Sequence, residues 1–241
     1  MLSASSLKLY SDLSTWWPVM SPHSDYEEEA TFMARCLLEA GALQGSEMLE
    51  LGSGGGNNAF YLRNYFRLTL SDLSPGMLEM SRRLHPDLEH HLGDMKTLRL
   101  GRTFDVVFVH DAIMYLLTED QLRAALLTAR IHLKPGGLAL LAPDFVKETF
   151  EAETDHGGHD VGDRSLRYLE WVEDPDPTDT WYNTHYSYVL KEGDQIHFEG
   201  ETHREGLFPR QKWLDLCREV GFDVTTIPDP WNRELLLLRL K

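Results

Sequence analysis

Eight consecutive residues, Glu50-Leu51-Gly52-Ser53-Gly54-Gly55-Gly56-Asn57, constrain this chain more than any other stretch. An apolar run feeds into them, and an acidic residue, Asp72, follows twenty positions after Gly52. Glycines just past a strand let the backbone turn sharply and let a ligand lie against it without meeting a Cβ. A carboxylate at the tip of the next strand can then accept hydrogen bonds from ribose hydroxyls. The layout is that of a nucleoside-binding β-α-β unit, and the residues around the glycines bear on which nucleoside it suits.

A phosphate-cradling P-loop needs Gly-Lys-Ser/Thr at its end, whereas Gly56 is followed by Asn57-Asn58. The dinucleotide fingerprint wants Gly or Ala three places after the second glycine, where Asn57 stands; an NAD-dependent oxidoreductase is therefore the alternative and not the first reading. Glu50 followed by Gly52, Gly54 and Gly56 at two-residue spacing resembles motif I of the class I S-adenosylmethionine-dependent methyltransferases. Later stations resemble the same family in the same order. They are Ser71-Asp72-Leu73-Ser74-Pro75-Gly76-Met77-Leu78 at the second strand tip, Gly93-Asp94-Met95 at the third, Phe104 to Asp111 as the fourth strand, and Leu133-Lys134-Pro135-Gly136-Gly137 before the fifth.

With 241 residues, 42% of them hydrophobic, the chain can bury a substantial core. Its net charge of −16 repels phosphate backbones and anionic lipid surfaces, which argues against nucleic-acid and membrane partners. Cys36 and Cys217 each sit in an apolar helix-like pattern and read as packed, reduced thiols suited to the cytoplasm. Met1 to Ser11 shows neither a cationic start nor a long apolar run, and nowhere do eighteen apolar residues occur together, so neither export nor membrane spanning is expected.

Strands and helices alternate from Glu47 to Pro143, the order of a parallel sheet covered by helices on both faces. Met48 to Leu51, Leu68 to Ser71, Phe104 to Val109 and Gly137 to Leu141 read as strands. A helix is expected from about Asn57 to Tyr65, a second after Ser74 with Pro75 at its first position, and a third opened by the capping box Thr118-Glu119-Asp120-Gln121. Residues 144–178 lack sustained periodicity and read as a loop or lid. Tyr182, Thr184, Tyr186, Tyr188 and Leu190 then alternate with Asn183, His185, Ser187 and Val189, and Glu192-Gly193-Asp194 turns the chain. In the second arm Ile196, Phe198, Gly200 and Thr202 alternate with His197, Glu199, Glu201 and His203. One aromatic and one polar face suit an antiparallel layer over a site. A helix from about Pro209 to Val220 and strands at Phe222 to Ile227 and Glu234 to Leu240 complete the core.

The expected fold is thus α/β, a Rossmann-like, doubly wound, mainly parallel sheet with an antiparallel C-terminal strand and an antiparallel β insertion after strand five. Four parts are expected: an N-terminal helical segment (1–45), the binding core (46–143), a lid with the substrate-side insertion (144–206) and a C-terminal completion (207–241). An insertion after strand five is similar to that of the small-molecule branch of the family, notably sugar-nucleotide N-methyltransferases and glycine N-methyltransferase-like enzymes. Leu9-Tyr10-Ser11-Asp12-Leu13 and Ser24 to Glu29 resemble their tyrosine-bearing segments over the cofactor.

The resemblance implies S-adenosylmethionine as cofactor and methyl transfer to a small-molecule acceptor, an amine nitrogen before oxygen or carbon; a non-catalytic S-adenosylmethionine-binding regulator is a further alternative. The resemblance assigns the cofactor's carboxylate to amides around Gly52, Ser53, Gly54, Gly56 and Asn57, its ribose to Asp72, and its adenine edge to Asp94 and Met95 beside Gly93. Leu73 and Met77 would lie against the ring, Glu50 would take the ammonium, and Tyr10 and Tyr26 would close over the sulfonium. Members acting on planar amide nitrogens carry Asn/Asp-Pro-Pro-Tyr after strand four, where this chain reads His110-Asp111-Ala112-Ile113, so His110 is the candidate to orient the acceptor or take its proton. His156 and His159, flanked by Asp155 and Asp160, are separated by two glycines with no cysteine near, and no metal site is expected. A homodimer is compatible with this reading.

Overall fold

The computed structural model describes residues 7–241, and in it the alternating segment becomes a sheet with helices on both faces. The N-terminal segment enters through 3-10 turns and α1 (Trp17–Met20), then α2 (Glu27–Glu39). Glu27, Glu28 and Glu29 fill the first turn of α2, where carboxylates favour the positive end of the helix dipole. Ala30, Met33, Ala34 and Leu37 recur at helical spacing and are fully buried, Met33 and Leu37 contributing about 1.5–3 kcal/mol each by burial.

The core then runs β1 (Glu47–Leu51), α3 (Asn57–Leu62), β2 (Arg67–Asp72), α4 (Pro75–Leu84), β3 (Glu89–Leu92), β4 (Phe104–Val109), α5 (Glu119–Ile131) and β5 (Leu133–Leu141). The expected helix starts hold. Ser74 Oγ accepts the Met77 amide at 3.1 Å and Thr118 Oγ1 accepts the Gln121 amide at 3.2 Å, while Gln121 Oε1 reaches back to the Leu117 amide at 2.7 Å. The first core helix, α3, stops at Leu62 and falls short of the Tyr65 expected for it.

After β5 come β6 (Glu153–Gly157), β7 (Asp160–Val161), β8 (Arg164–Glu173), β9 (Trp181–Glu192) and β10 (Gln195–Gly206), then α6 (Arg210–Glu219), β11 (Phe222–Pro228) and β12 (Glu234–Leu240). The main sheet has the order β11-β12-β5-β4-β1-β2-β3, parallel except for β12, which is antiparallel to both neighbours. Alternate β4 residues serve opposite faces. Val107 and Val109 pack toward α5 and α6, and Val106 and Phe108 toward α2 and α3.

One expectation differs from the structure in the second sheet, of order β10-β9-β8-β6 with β7 beside β8. Residues 153–173, expected as loop or lid, form three of its strands; their side chains are mostly exposed, and pairing orders them, β8 with β9 and β6 and β7 with β8. In β10 it is the polar set that turns inward. His203 is 2% exposed, whereas Phe198 is 76% and Ile196 54% exposed. The antiparallel register sets Glu199, Glu201, His203 and Glu205 beside Tyr188, Tyr186, Thr184 and Tyr182 on one face, which packs through Tyr188 and Leu190 on Leu9, Trp16 and Val19 of the N-terminal segment.

Candidate active site

A cavity of about 310 Å³ opens where β1, β2, β3 and β4 end, within the range of small-molecule sites. Every candidate catalytic or cofactor-binding residue lines it except Gly56, whose left-handed backbone (φ 84°) instead starts α3. Gly52 is glycine for two reasons. Its φ is 76°, and a Cβ there would come within 2.4 Å of Ala112 Cβ. The amides of Gly52 and Ser53 both reach Ser71 O, at 2.8 and 2.9 Å, which holds the turn against β2.

Asp72 at the end of β2 accepts the Gly54 amide (2.8 Å) and the Ser74 amide (2.7 Å), and burial pushes its carboxyl up against those bonds. A carboxylate has about four lone-pair sites, so capacity remains for hydroxyl donors. Asp94 beyond β3 accepts the Lys96 amide at 2.8 Å, with Lys96 Nζ 3.2 Å from its other oxygen. Leu73, Met77, Gly93 and Met95 complete that wall. Glu50, 1% exposed at the tip of β1, is pushed up to about 8, chiefly by burial, and its Oε2 meets no donor. Ser53 Oγ, Asn58 Oδ1 and Trp17 Nε1, all on the same cavity, are buried and unpartnered as well. Leaving such atoms unmet costs about 1–3 kcal/mol each, which a polar ligand recovers.

The opposite wall is built by the N-terminal segment and the turn after β4. His110 is 5% exposed, with Nε2 3.0 Å from Glu29 Oε1 and Nδ1 3.2 Å from Asp111 Oδ1. Burial alone lowers its pKa, but Asp111 and Glu29 outweigh that and hold it well above the ordinary histidine value. A ring with both nitrogens facing carboxylates is an imidazolium, fitted to position neighbours and to carry charge more than to accept a proton. Glu29 is in turn paired with Arg233, which also lies 2.8 Å from Asp229 and 3.4 Å from Asp144. Tyr26 bonds Ser21 Oγ at 2.7 Å, Asn57 Nδ2 donates to Ser21 O at 2.9 Å, and burial raises the Tyr26 phenol. Tyr10 Oη lies 2.8 Å from Tyr115 Oη.

Reading the sequence missed Asp111, Tyr115, Trp17 and Asn58 on this cavity, and Glu29 behind it. Asp111 and Asn58 adjoin singled-out residues and were findable on that ground. Tyr115 and Trp17 carry no local signal. Among the described residues, no group of three or more His, Cys, Asp or Glu is arranged to hold a metal ion; His156 is exposed on β6, and His159 lies 3.5 Å from Asp25. Trp171 is 56% exposed, and Arg204 stacks on Trp181 at 3.6 Å, so neither joins the cavity. Both cysteines are buried free thiols, and burial pushes Cys217 up to about 12.

A glycine turn, a strand-tip carboxylate and a parallel sheet closed by one antiparallel strand together define a nucleoside-binding α/β domain. Residues 48–137 match the methyltransferase domain family. The chain is 35% identical over 128 residues to the dTDP-3-amino-3,4,6-trideoxy-alpha-D-glucopyranose N,N-dimethyltransferase of Streptomyces venezuelae, covering 52% of this chain and 54% of that protein. It is 28% identical over 212 residues to the dTDP-3-amino-3,6-dideoxy-alpha-D-glucopyranose N,N-dimethyltransferase of Streptomyces fradiae, covering 85% and 80%. The chain thus spans about half the length of the first relative and most of the second. Its fold is similar to that of S-adenosylmethionine-bound CalS10, an amino pentose methyltransferase from Micromonospora echinaspora, at a TM-score of 0.79, 22% identity and coverage of 90% and 92%. Residues 48–137 thus form a methyltransferase domain, and the chain resembles the sugar-nucleotide N-methyltransferases of class I in sequence and in fold. CalS10 is solved with S-adenosylmethionine bound, and neither the oxidoreductase nor the regulator alternative is favoured by these likenesses.

Proposed function

We propose that this enzyme methylates the amine nitrogen of a small molecule, and by similarity to its dimethyltransferase relatives, of an amino sugar. The observation that carries this reading is one cavity in which the glycine turn, Asp72, Asp94 and the unpartnered Glu50 oxygen meet the hydroxyls of Tyr10 and Tyr115. When bound, S-adenosylmethionine supplies a methyl already activated on a sulfonium, so that holding a neutral amine in line is most of what the protein must do.

In this reading Glu50 takes the ammonium of the cofactor's methionine half, Asp72 its ribose hydroxyls, and Asp94 with Met95 its adenine edge, with Leu73 and Met77 against the ring. Tyr26, Asn57 and Ser21 tie the N-terminal segment over the site. His110, pinned between Glu29 and Asp111, holds that wall in place. A second cavity of about 420 Å³ lies between the second sheet and the core, lined by Asp144, Glu170 and Glu205 together with Arg233, a polar surround with hydrogen-bonding groups for an aminated acceptor. We assign residues 1–45 and 144–206 to the cover and the acceptor side, and 46–143 with 207–241 to the cofactor core. Residues 1–6 lie outside those described. No described helix is long and apolar enough to cross a membrane, and the two unpaired thiols suit the cytoplasm.

The test incubates the protein with S-adenosylmethionine and a panel of free and nucleotide-linked amino sugars, simple amines and hydroxyl compounds, and weighs the products. A product heavier by one or two methyl groups on nitrogen is expected. Methylation confined to oxygen or carbon overturns the amine assignment.

A further inference from the structure

Four side chains from three separate parts of the chain form a line leading away from the cofactor cavity. Tyr10 Oη and Tyr115 Oη, both on the cavity, lie 2.8 Å apart; Tyr115 Oη is 2.7 Å from His203 Nδ1; and His203 Nε2 is 3.1 Å from Glu201 Oε1. Tyr10 belongs to the N-terminal segment and Tyr115 to the turn after β4, while His203 and Glu201 come from the inward face of β10. His203 is 2% exposed and the Glu201 side chain 6%, so the far end is closed to water.

From this geometry we infer that Tyr10, Tyr115, His203 and Glu201 form a proton relay that takes the proton released when the acceptor is methylated. The inference rests on the amine reading above.

The chemistry requires such an exit. As the amine lone pair forms the N–C bond, the C–S bonding pair goes to sulfur, and the nitrogen is left with one proton too many for a neutral product. That proton passes to Tyr10 Oη as the Tyr10 proton moves to Tyr115 Oη and the Tyr115 proton to His203 Nδ1. The charge then rests on an imidazolium beside the Glu201 carboxylate, and the reverse shuttle returns the proton to water once the product has gone. Tyr10 is the catalytic residue in this scheme, its hydroxyl taking the acceptor's proton; the other three act through it.

The tautomer follows from the partners. Nδ1 can accept from Tyr115 only if the ring proton sits on Nε2, which lies 3.1 Å from Glu201 Oε1 as a charge contact without the alignment of a hydrogen bond. Glu201 is fixed for that role. It accepts the amides of Lys8 and Leu9 at 2.5 and 3.0 Å, and although burial opposes it, His203 and these amides hold its carboxyl below the usual range. Tyr186 packs edge-on to His203 with ring centroids 4.9 Å apart, and Tyr188 Oη reaches Glu201 Oε1 at 3.4 Å. No cation other than Lys8, which pairs with Glu199, faces the line among these neighbours, so nothing else competes to neutralise Glu201.

The test combines a spectroscopic and a kinetic arm. Imidazole ¹⁵N spectra of the protein with S-adenosylhomocysteine should show His203 neutral, protonated at Nε2 and bare at Nδ1, with the Nδ1 signal moving in Tyr115→Phe, which keeps the packing and removes one oxygen. In Tyr115→Phe and His203→Gln, kcat should fall about 10²-fold, with S-adenosylhomocysteine affinity held within about twofold. A proton on Nδ1, or an unchanged kcat in both variants, overturns the relay. Product made from hydroxyl compounds but not from amines overturns the amine reading alone, since a hydroxyl must lose its proton by the same route. Amine product made at the full rate by both variants overturns the relay alone.

Discussion

Gly52 and Gly136 separate two costs that a left-handed glycine can carry. Both have positive φ, 76° and 74°, so an alanine at either is strained by about 1–2 kcal/mol. A Cβ at Gly136 would meet nothing within 4 Å, whereas at Gly52 it would stand 2.4 Å from Ala112 Cβ and 3.1 Å from Met95 Cε. Ala112 is too short to swing aside, so the backbone must move, which adds about 1–3 kcal/mol. Gly52→Ala should therefore lower the urea midpoint by the equivalent of about 2–5 kcal/mol and weaken S-adenosylhomocysteine binding, because Met95 borders the same cavity. Gly136→Ala should cost about 1–2 kcal/mol and leave binding alone. Equal losses in the two variants would show that the close approach to Ala112 has no energetic weight.

At the scale of elements, the second sheet marks where the sequence stops being legible. The strands of the core follow from local signals: even apolar runs such as Phe104 to Val109, and caps at Ser74 and Thr118 that bond within three residues. The arms of the β9–β10 hairpin were also legible, because an alternating pattern and a Glu-Gly-Asp turn are local. Which face of β10 turns inward was not. Its polar set is buried because the partners lie far off in sequence: Lys8 and Leu9 for Glu201, Tyr115 for His203. The carboxylate meets backbone amides that would otherwise be stranded, and a period-two pattern carries no trace of that. The same distance hides Tyr115 and Glu29 from a reading of motifs, while the glycine turn and Asp72, sixteen to twenty residues of chain apart, fall within one β-α-β unit. Phe198→Ser, at 76% exposure, should change stability by no more than about 0.5 kcal/mol, whereas Tyr188→Ala, at 1% exposure, should cost about 3–5 kcal/mol in urea unfolding. A large loss from Phe198→Ser would mean that β10 presents its other face to the core.

For the whole molecule, pH and ligand act on the same charges. Above about pH 7 an unfolded chain has ionised its carboxylates and released the protons of its histidines. The folded protein still holds a proton on Glu50, pushed up to about 8 mainly by burial, and on Glu205, likewise about 8 and likewise mainly by burial. It also keeps His110 charged, since Asp111 and Glu29 outweigh the opposing effect of burial. His85, His90 and His132, lowered chiefly by burial, have finished titrating below this window and do not oppose the trend. The folded state therefore binds more protons than the unfolded one, and stability must fall as pH rises from about 7 to about 8.5, with the net charge of −16 adding repulsion in the same direction. S-adenosylhomocysteine brings an ammonium to Glu50 and favours its carboxylate, so binding at the lower pH must first displace the Glu50 proton. The stabilisation it confers should consequently be larger at about pH 8.5 than at about pH 7, and Glu50→Gln should abolish that difference while leaving the downward slope from His110 and Glu205. Thermal melts at the two pH values, with and without saturating S-adenosylhomocysteine, measure both quantities. A ligand shift independent of pH in the wild-type protein would separate Glu50 from the ammonium, and stability rising across the window would mean that these buried groups are ionised differently from what their surroundings dictate.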